Sequence, residues 1–460
     1  MNLFRKKSID DFKTSIKKSH LKKELNYIDL ACLGIGSVVG TGVFVSTGQG
    51  AKLAGPAVII SFIVAAVTCA LCALTYSELA TMFPVAGSTY SYCYVAFGEI
   101  IAWIIGWNLM LEYLVSGSAV ASGWSSTFVD LLKSGGVNLP EQLTHSPFSG
   151  GIVDLPSMLI VAIITWILYI GVTQSSKINT IIVFIKIFVI LVFIFIGVTH
   201  INPVNYHPFA PYGINGIMSG AAIIFFAFIG FDSISTAAEE TSNPYRDVPI
   251  GLAICLGLTI ILYIAVACVL TGMVPFKYID VNNALPGALA KIGINWGSAL
   301  VGTGAVIGMI STILVILYGQ VRIFMVMARD GLLPKVFSSI NESHRTPGIC
   351  TIVTGCITAL ICGFFPLNII IELCNIGTLS AFLFVSAGII VLRKTMPDIQ
   401  RKFRCPGVPF TPILTILFCI YLMISLPSVT WIRFLIWTGA GLAIYFLYGM
   451  KNSLLNKENN

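Results

Sequence analysis

From residue 26 onward the chain is a succession of long apolar runs separated by short polar joints, and charges are scarce inside the runs. A helix needs about 20 mainly apolar residues to cross a hydrocarbon core of roughly 30 Å. By that measure the pattern predicts twelve transmembrane helices, near 27–52, 56–82, 98–131, 155–173, 177–199, 213–239, 248–273, 297–327, 346–365, 368–392, 408–427 and 431–450. The punctuation agrees with this division: Gly55-Pro56, Pro84, Pro156, Pro244, Pro249, Pro334, Pro347, Pro366 and Pro406 all fall at or beside predicted ends. The expected fold class is an all-α integral membrane protein.

The first run is interrupted by its own residues. Gly34-Ile-Gly-Ser-Val-Val-Gly-Thr-Gly-Val-Phe-Val-Ser-Thr-Gly48 is loaded with glycine and hydroxyl groups where a membrane helix should be continuous. Glycine releases the backbone from the helical region, so the spacing predicts an unwound segment at Gly36–Gly42, and the N–H and C=O groups freed there must find partners. Gly36-Ser-Val-Val-Gly40 also matches a close-packing G-x-x-x-G pattern. Gly34-Ile-Gly-Ser-Val-Val-Gly40 nearly matches a dinucleotide fingerprint but does not sit in a βαβ unit, and that reading is set aside. Five runs later, Phe225-Phe-Ala-Phe-Ile-Gly-Phe-Asp-Ser233 brings a glycine and an acid into the sixth run. Interrupted helices at corresponding places in two five-helix halves predict an inverted-repeat transporter with its site at the membrane midplane.

Composition narrows the classes further. Of 460 residues 56% are hydrophobic and 10% charged, with a mean hydropathy of +0.90, whereas a soluble chain carries about 25% charged residues. The net charge of +7 reads as topology and not as affinity for nucleic acid, because with the N-terminus inside, the cytoplasmic side collects 21 of the 27 Lys and Arg. Lys52, Lys133, Lys277, Lys291 and Arg433 fall outside and Lys186 within a helix. The expected layout is a cell-membrane protein with both termini cytoplasmic: a basic tail at 1–25, a ten-helix core at 26–393, a loop at 394–407, two further helices at 408–450 and a tail at 451–460. The tail lacks a signal-peptide cleavage pattern. The twelve cysteines lie mostly in apolar runs, Cys69 and Cys72 reading as small packing residues. His20, His145, His200, His207 and His344 do not cluster, so no metal site and no cofactor are expected.

Four motifs in order carry a resemblance. Ile35-Gly-Ser-Val-Val-Gly-Thr-Gly-Val-Phe44, Glu78-Leu-Ala-Thr-Met-Phe-Pro-Val-Ala-Gly-Ser88, Glu239-Glu-Thr-Ser-Asn-Pro-Tyr-Arg-Asp-Val-Pro249 and Arg329-Asp-Gly-Leu-Leu-Pro334 are similar to those of the amino acid/polyamine/organocation transporter superfamily, in its bacterial cationic-amino-acid-transporter-like branch. The resemblance covers most of the chain. It implies a LeuT-like 5+5 inverted repeat with broken first and sixth helices plus two extra helices, and secondary active amino acid transport by alternating access.

The residues themselves suggest how an amino acid would be held. A half-helix restarting near Thr41 presents free amides and the positive end of its dipole, which suits a carboxylate at Thr41 and Gly42 with Gly40 or Ser37 nearby. Carbonyls freed near Val38, Phe226, Ala227 and Ile229 suit an ammonium group. The side-chain pocket is expected from the third, sixth and eighth helices, with Phe226, Ile229 and Ile316 as apolar candidates. No acid in the eighth helix is placed to receive a cationic side chain, so neutral L-amino acids are expected; cationic amino acids, polyamines and an exchange mode remain alternatives. A channel would be expected to show a pore loop or charge ring, and an enzyme a convergent nucleophile, base or metal set; the sequence displays neither.

Lys186 lies about nine positions inside the fifth helix, roughly 13 Å at about 1.5 Å per residue. An ammonium there costs several kcal/mol unless paired or deprotonated, while snorkelling to an interface is the bland alternative. The resemblance implies that this lysine occupies the place of a sodium ion in sodium-driven relatives, beside first-helix carbonyls, which implies proton coupling. Glu112 in the third helix is a second buried charge: proton carrier, gate element or structural acid. Asp232 is expected to cap the second half of the sixth helix. Glu78, Glu239 and Glu240 are expected as gate or loop anchors facing Arg246 or Arg322, and Glu372 as an interfacial residue. The expected partners are an amino acid, protons and the lipid bilayer; the sequence does not fix the oligomeric state.

Overall fold

The computed structural model describes residues 3–7, 25–85, 87–171, 176–281, 283–341 and 346–458. Residues 8–24 of the expected N-terminal tail, His344 and the last two residues lie outside the described residues. Among the described residues the regular elements are all helices, with two isolated β-bridges and no β-strand.

The helices are α1 Tyr27–Val38, α2 Thr47–Ala54, α3 Val58–Met82, α4 Ser88–Ala96, α5 Glu99–Ser134, α6 Leu155–Tyr169, α7 Ser176–Val198, α8 Gly213–Ile224, α9 Ser233–Thr236, α10 Pro244–Met273, α11 Ala284–Lys291, α12 Asn295–Arg329, α13 Gly348–Phe364, α14 Leu367–Thr395, α15 Phe410–Ile424, α16 Ser428–Ile444, and two short C-terminal helices, α17 Met450–Asn452 and α18 Leu454–Glu458. Among the described residues eight helical stretches are long and apolar enough to cross a membrane, and α1, α6, α13 and α15 are shorter apolar helices. These long and shorter apolar helices overlap the expected runs, whereas α4, α11 and α18 lie outside them and α17 shares only Met450 with the last. Neither α4 nor α11 is foreshadowed: α4 reads Ser-Thr-Tyr-Ser-Tyr-Cys-Tyr-Val-Ala and is buried at every position, so it has no polar face to set a helical period.

The exterior is apolar where that of a soluble protein would be polar. On α7, Phe184, Phe188 and Phe195 are exposed, Phe195 at 74%, while Lys186 on the same helix is fully buried. A helix that turns its aromatics outward and its charge inward fits a hydrocarbon surround and no aqueous one.

Inside, α5 is the central post, packed against α12, α13 and α14, while α10 packs on α1 and α3, and α8 on α2 and α3. α5 and α12 run antiparallel, since Gly117 faces Ile316 and Gly319 faces Tyr113. The C-terminal α16 is riveted to α5 by two stacked indoles, Trp107 and Trp437, with centroids 4.6 Å apart; each donates its N–H to the other's carbonyl, at 2.8 and 3.2 Å.

Candidate functional site

The site grows out of two helix breaks that touch. α1 begins with a capping box: the Asn26 side chain accepts from the amides of Ile28 (2.8 Å) and Asp29 (3.2 Å), and Asp29 accepts from the Asn26 amide at 3.1 Å. It stops at Val38. Val39 is extended (φ −80°, ψ 94°), and the chain re-enters helix at Thr41 through a wide π-helical turn, Gly42–Ser46, that feeds α2. The break is therefore shorter than the expected Gly36–Gly42, because Gly36, Ser37 and Val38 remain helical. The second break follows a 3₁₀ turn, Phe225–Phe228; Ile229 is extended (ψ 140°) and Gly230 adopts φ +110°, a conformation that a side chain would strain.

Glycines let the two breaks interlock. A Cβ on Gly42 would collide with the Cα of Ala227, and one on Gly230 would lie 2.5 Å from the Ser37 hydroxyl. Between the breaks is a tight cavity lined by Ser37, Val38, Gly40, Thr41, Gly42, Phe226, Ile229 and Ile316 together with Ser116, Val120 and Thr312. Ala227, expected at the site, is buried behind Gly42 and does not line the cavity. Ser116 and Val120 on α5, and Thr312 and Ile316 on α12, are pairs four residues apart and so share a helix face. Nothing in the sequence pattern marks Ser116, Val120 or Thr312, although one helical turn back from Ile316 reaches Thr312.

The cavity floor is backbone. The first amides of a restarting helix have no intrahelical partner and carry the positive end of its dipole. Thr41 keeps its side chain out of the way: its hydroxyl reaches the Val120 carbonyl (3.3 Å) and the Met309 sulfur (3.2 Å). The carbonyls released by α1 are held from three directions. Lys186 Nζ donates to the Gly36 carbonyl at 2.6 Å and to the Thr312 hydroxyl at 2.8 Å. Thr312 Oγ1 lies 2.9 Å from the Gly36 oxygen and 3.2 Å from that of Val39. Tyr263 of α10 donates to the Val38 carbonyl at 3.0 Å. Lys186 is therefore not a snorkelling lysine; its charge is directed inward, and its stem lies against Gly308.

Glu112 is buried but does not line the cavity, lying one turn along α5 from Ser116. Its Oε2 has no hydrogen-bond partner among the described residues, and Asp232 and Thr378 stand within electrostatic or hydrogen-bonding reach. Asp232 does occupy the position before α9, yet its side chain makes no capping bond. Instead Tyr113 donates to it at 3.4 Å, a long contact, so the expected cap is corrected to a side-chain pair between α5 and the broken helix.

At the end of the bundle that bears the N-terminus, Arg322 pairs with Glu240 and Tyr318, one of the expected alternatives. Glu78 does not meet Arg246 or Arg322. It is 1% exposed and holds Arg393 at 2.6 Å, Arg401 at 3.2 Å and the Cys405 amide at 2.7 Å. Sequence distance hid these partners, which lie more than three hundred residues away. Glu372 accepts from Thr430 at 2.6 Å and faces Arg433 at 3.8 Å, so it ties α14 to α16.

The two helix breaks thus enclose a small cavity whose lining combines apolar side chains with the hydroxyl-bearing residues Ser37, Thr41, Ser116 and Thr312. The chain belongs to the amino acid permease family, whose model matches residues 25–447. It is 46% identical to the branched-chain amino acid permease BcaP of Bacillus subtilis (strain 168), across 99% of each chain. It is 45% identical to the methylthioribose transporter of the same organism, over 99% of this chain and 100% of the other, and 31% identical to the vacuolar cationic amino acid transporter 4 of Arabidopsis thaliana, over 99% and 96%. These relatives are transporters, and amino acid transport across a membrane is the activity of the family.

Proposed function

We propose that this permease takes up neutral branched-chain L-amino acids by alternating access, coupled to protons. The observation that carries the substrate class is the cavity lining: Val120, Ile229 and Ile316 offer apolar surface, and no charged side chain is among the lining residues. The substrate carboxylate meets the amides of Gly40, Thr41 and Gly42, its ammonium the second lone pairs of the Val38 and Phe226 carbonyls, which already accept from Tyr263 and the Ile229 amide, and its aliphatic side chain the wall formed by Val120, Ile229 and Ile316. A cationic side chain would require a buried partner, and Glu112 stands a turn away from the cavity. The relative described as a branched-chain permease supports the same class.

Coupling is assigned to Lys186. A centrally placed lysine costs about 2.5–3.5 kcal/mol in a membrane helix, and hydrogen bonds to a charged group return about 1.5–3 kcal/mol each. Those terms are comparable, so losing the bond to Gly36 when α1 moves is enough to tip the group toward releasing its proton. In this scheme the bundle spans the membrane twelve times with both termini cytoplasmic, residues 26–393 form two inverted five-helix repeats, and the segment 408–450 is accessory.

The deciding experiment is competition of the common amino acids, arginine, putrescine and methylthioribose against labelled isoleucine in proteoliposomes with an imposed pH gradient. Saturable isoleucine uptake displaced by leucine and valine and driven by the gradient is expected. Displacement by methylthioribose alone would make the cavity hydroxyls, Ser116 and Thr312, the recognition elements instead.

A further inference from the structure

The N-terminal residues 3–7 are docked. The Leu3 and Arg5 carbonyls accept from the amides of Ile100 (3.2 Å) and Glu99 (2.9 Å) at the start of α5. Lys6 Nζ donates to the Ala96 carbonyl at the end of α4 (2.8 Å), Lys7 Nζ to Asp330 just beyond α12 (2.5 Å), and Arg5 to Asn456 of the C-terminal segment (2.5 Å). The same strap holds α4 along its length: Tyr90 donates to the other oxygen of Asp330 at 2.6 Å, and Lys7 sits 5.2 Å from the centroid of the Tyr94 ring.

The far end of α4 is strained toward the site. Ser88 has φ +43° and is the only non-glycine residue with positive φ among the described residues. Such a conformation persists only where its surroundings over-determine it. Here the Ser88 hydroxyl bonds to that of Ser235 at 2.6 Å, and Ser235 belongs to α9, the fragment that follows the second helix break. Lys7, Asp330 and Tyr90 are thus joined side chain to side chain, the short helix α4 carries the connection two residues back to Ser88, and Ser88 meets Ser235 on the broken helix that frames the cavity.

We propose that residues 3–7 and α4 form a latch that holds the cytoplasmic side of the transporter closed through the Ser88–Ser235 contact. This rests on the alternating-access reading. While Lys7 is bound to Asp330, α4 cannot shift and Ser88 keeps its strained hold on α9. Release of the strap relaxes Ser88, frees α9 and opens the route from the cavity to the cytoplasm. Because Lys7 and Asp330 keep about a fifth and a tenth of their side-chain surface in solvent, the latch is weakened by salt.

The test uses Thr236→Cys on α9 as a reporter, since position 236 is buried in this structure. Inside-out vesicles are treated with a membrane-impermeant maleimide, and labelling at position 236 is followed by peptide mass spectrometry. Losing one latch contact, by Lys7→Gln or by Ser88→Ala, is expected to raise the labelling rate about tenfold, the effect of one net hydrogen bond. Lys7→Arg should retain protection, and the double variant should label no faster than either single one because both act on one chain of contacts. An unchanged rate in Lys7→Gln, or multiplied effects in the double variant, overturns the proposal. Labelling needs neither substrate nor gradient, so a failed transport assay in the same vesicles counts against the function and not against the latch.

Discussion

The Lys186 ammonium reaches the Gly36 carbonyl at 2.6 Å and so joins the middle of α7 to the last turn of α1. Thr312 bonds to the same ammonium and stands 2.9 Å from the same carbonyl, which closes a triangle between α7, α12 and α1. Two residues beyond Gly36 the helix breaks and the cavity begins. In the proposed scheme a movement of α1 away from α7 and α12 stretches this triangle, and the lysine registers that movement.

Lys186→Met keeps the length and burial of the side chain but removes the donor. Accumulation driven by a pH gradient is expected to fall at least tenfold, while gradient-free counterflow of isoleucine persists, since Thr312 still holds the Gly36 carbonyl. Uptake at pH 5.5 and pH 7.5 should become equal in the variant. Wild-type accumulation by Lys186→Met in proteoliposomes would remove the coupling role from this residue.

Gly42→Ala tests the interlock of the two breaks. The added methyl meets the Ala227 backbone, which cannot rotate away as a side chain can. Overpacking typically costs about 1–3 kcal/mol, and if that separation is lost from the binding geometry, isoleucine binds roughly 5- to 150-fold more weakly. Equilibrium binding to purified protein measures this directly. An unaltered Kd would mean that the carboxylate does not dock against Gly42.

How far the sequence carries is visible residue by residue. Apolar runs and prolines place the long helices, because hydrocarbon thickness and backbone satisfaction leave few alternatives. The breaks are legible since glycine clusters are unusual inside such runs, and their lining residues follow from the geometry of a restarting helix. What the sequence hides are partners set by packing between distant elements: Tyr263 on Val38, Thr312 beside Lys186, Arg393 and Arg401 on Glu78. The place of Ala227 is hidden for the same reason, since only the mutual approach of the breaks sets it against Gly42. α4 escaped because a helix buried on all sides carries no amphipathic period.

The cavity wall should set selectivity. Ile316→Ala and Val120→Ala each remove methyl groups that would contact an aliphatic substrate, and a missing methylene or two in an apolar pocket is worth about 1–3 kcal/mol. Isoleucine affinity is expected to fall about tenfold in each variant, with methionine or phenylalanine now competing in the enlarged space. Measured as a panel of inhibition constants, a uniform loss for all substrates would indicate a collapsed site and would count against this wall as the selectivity element.

Glu78 makes the strongest claim on stability away from the cavity. Its carboxylate is buried and receives two bonds from Arg393, at 3.1 and 2.6 Å, a contact from Arg401 and the Cys405 amide, so it fixes the end of α3 to the loop after α14. Glu78→Gln leaves Arg401, itself 5% exposed, without its counter-charge, and breaking a buried pair in this way typically costs about 3–5 kcal/mol. The two arginines are not equivalent. Arg401 also donates to the carbonyls of Leu392, Met396, Pro397 and Ile399, closing the C-terminus of α14, whereas Arg393 adds only the Cys405 carbonyl. The expected order of thermal destabilisation in detergent is therefore Glu78→Gln, then Arg401→Gln, then Arg393→Gln, with the isoleucine Kd of the folded fraction unchanged in all three. Equal losses for the two arginine variants would show that the carbonyl contacts of Arg401 add nothing, and that the carboxylate alone holds the loop.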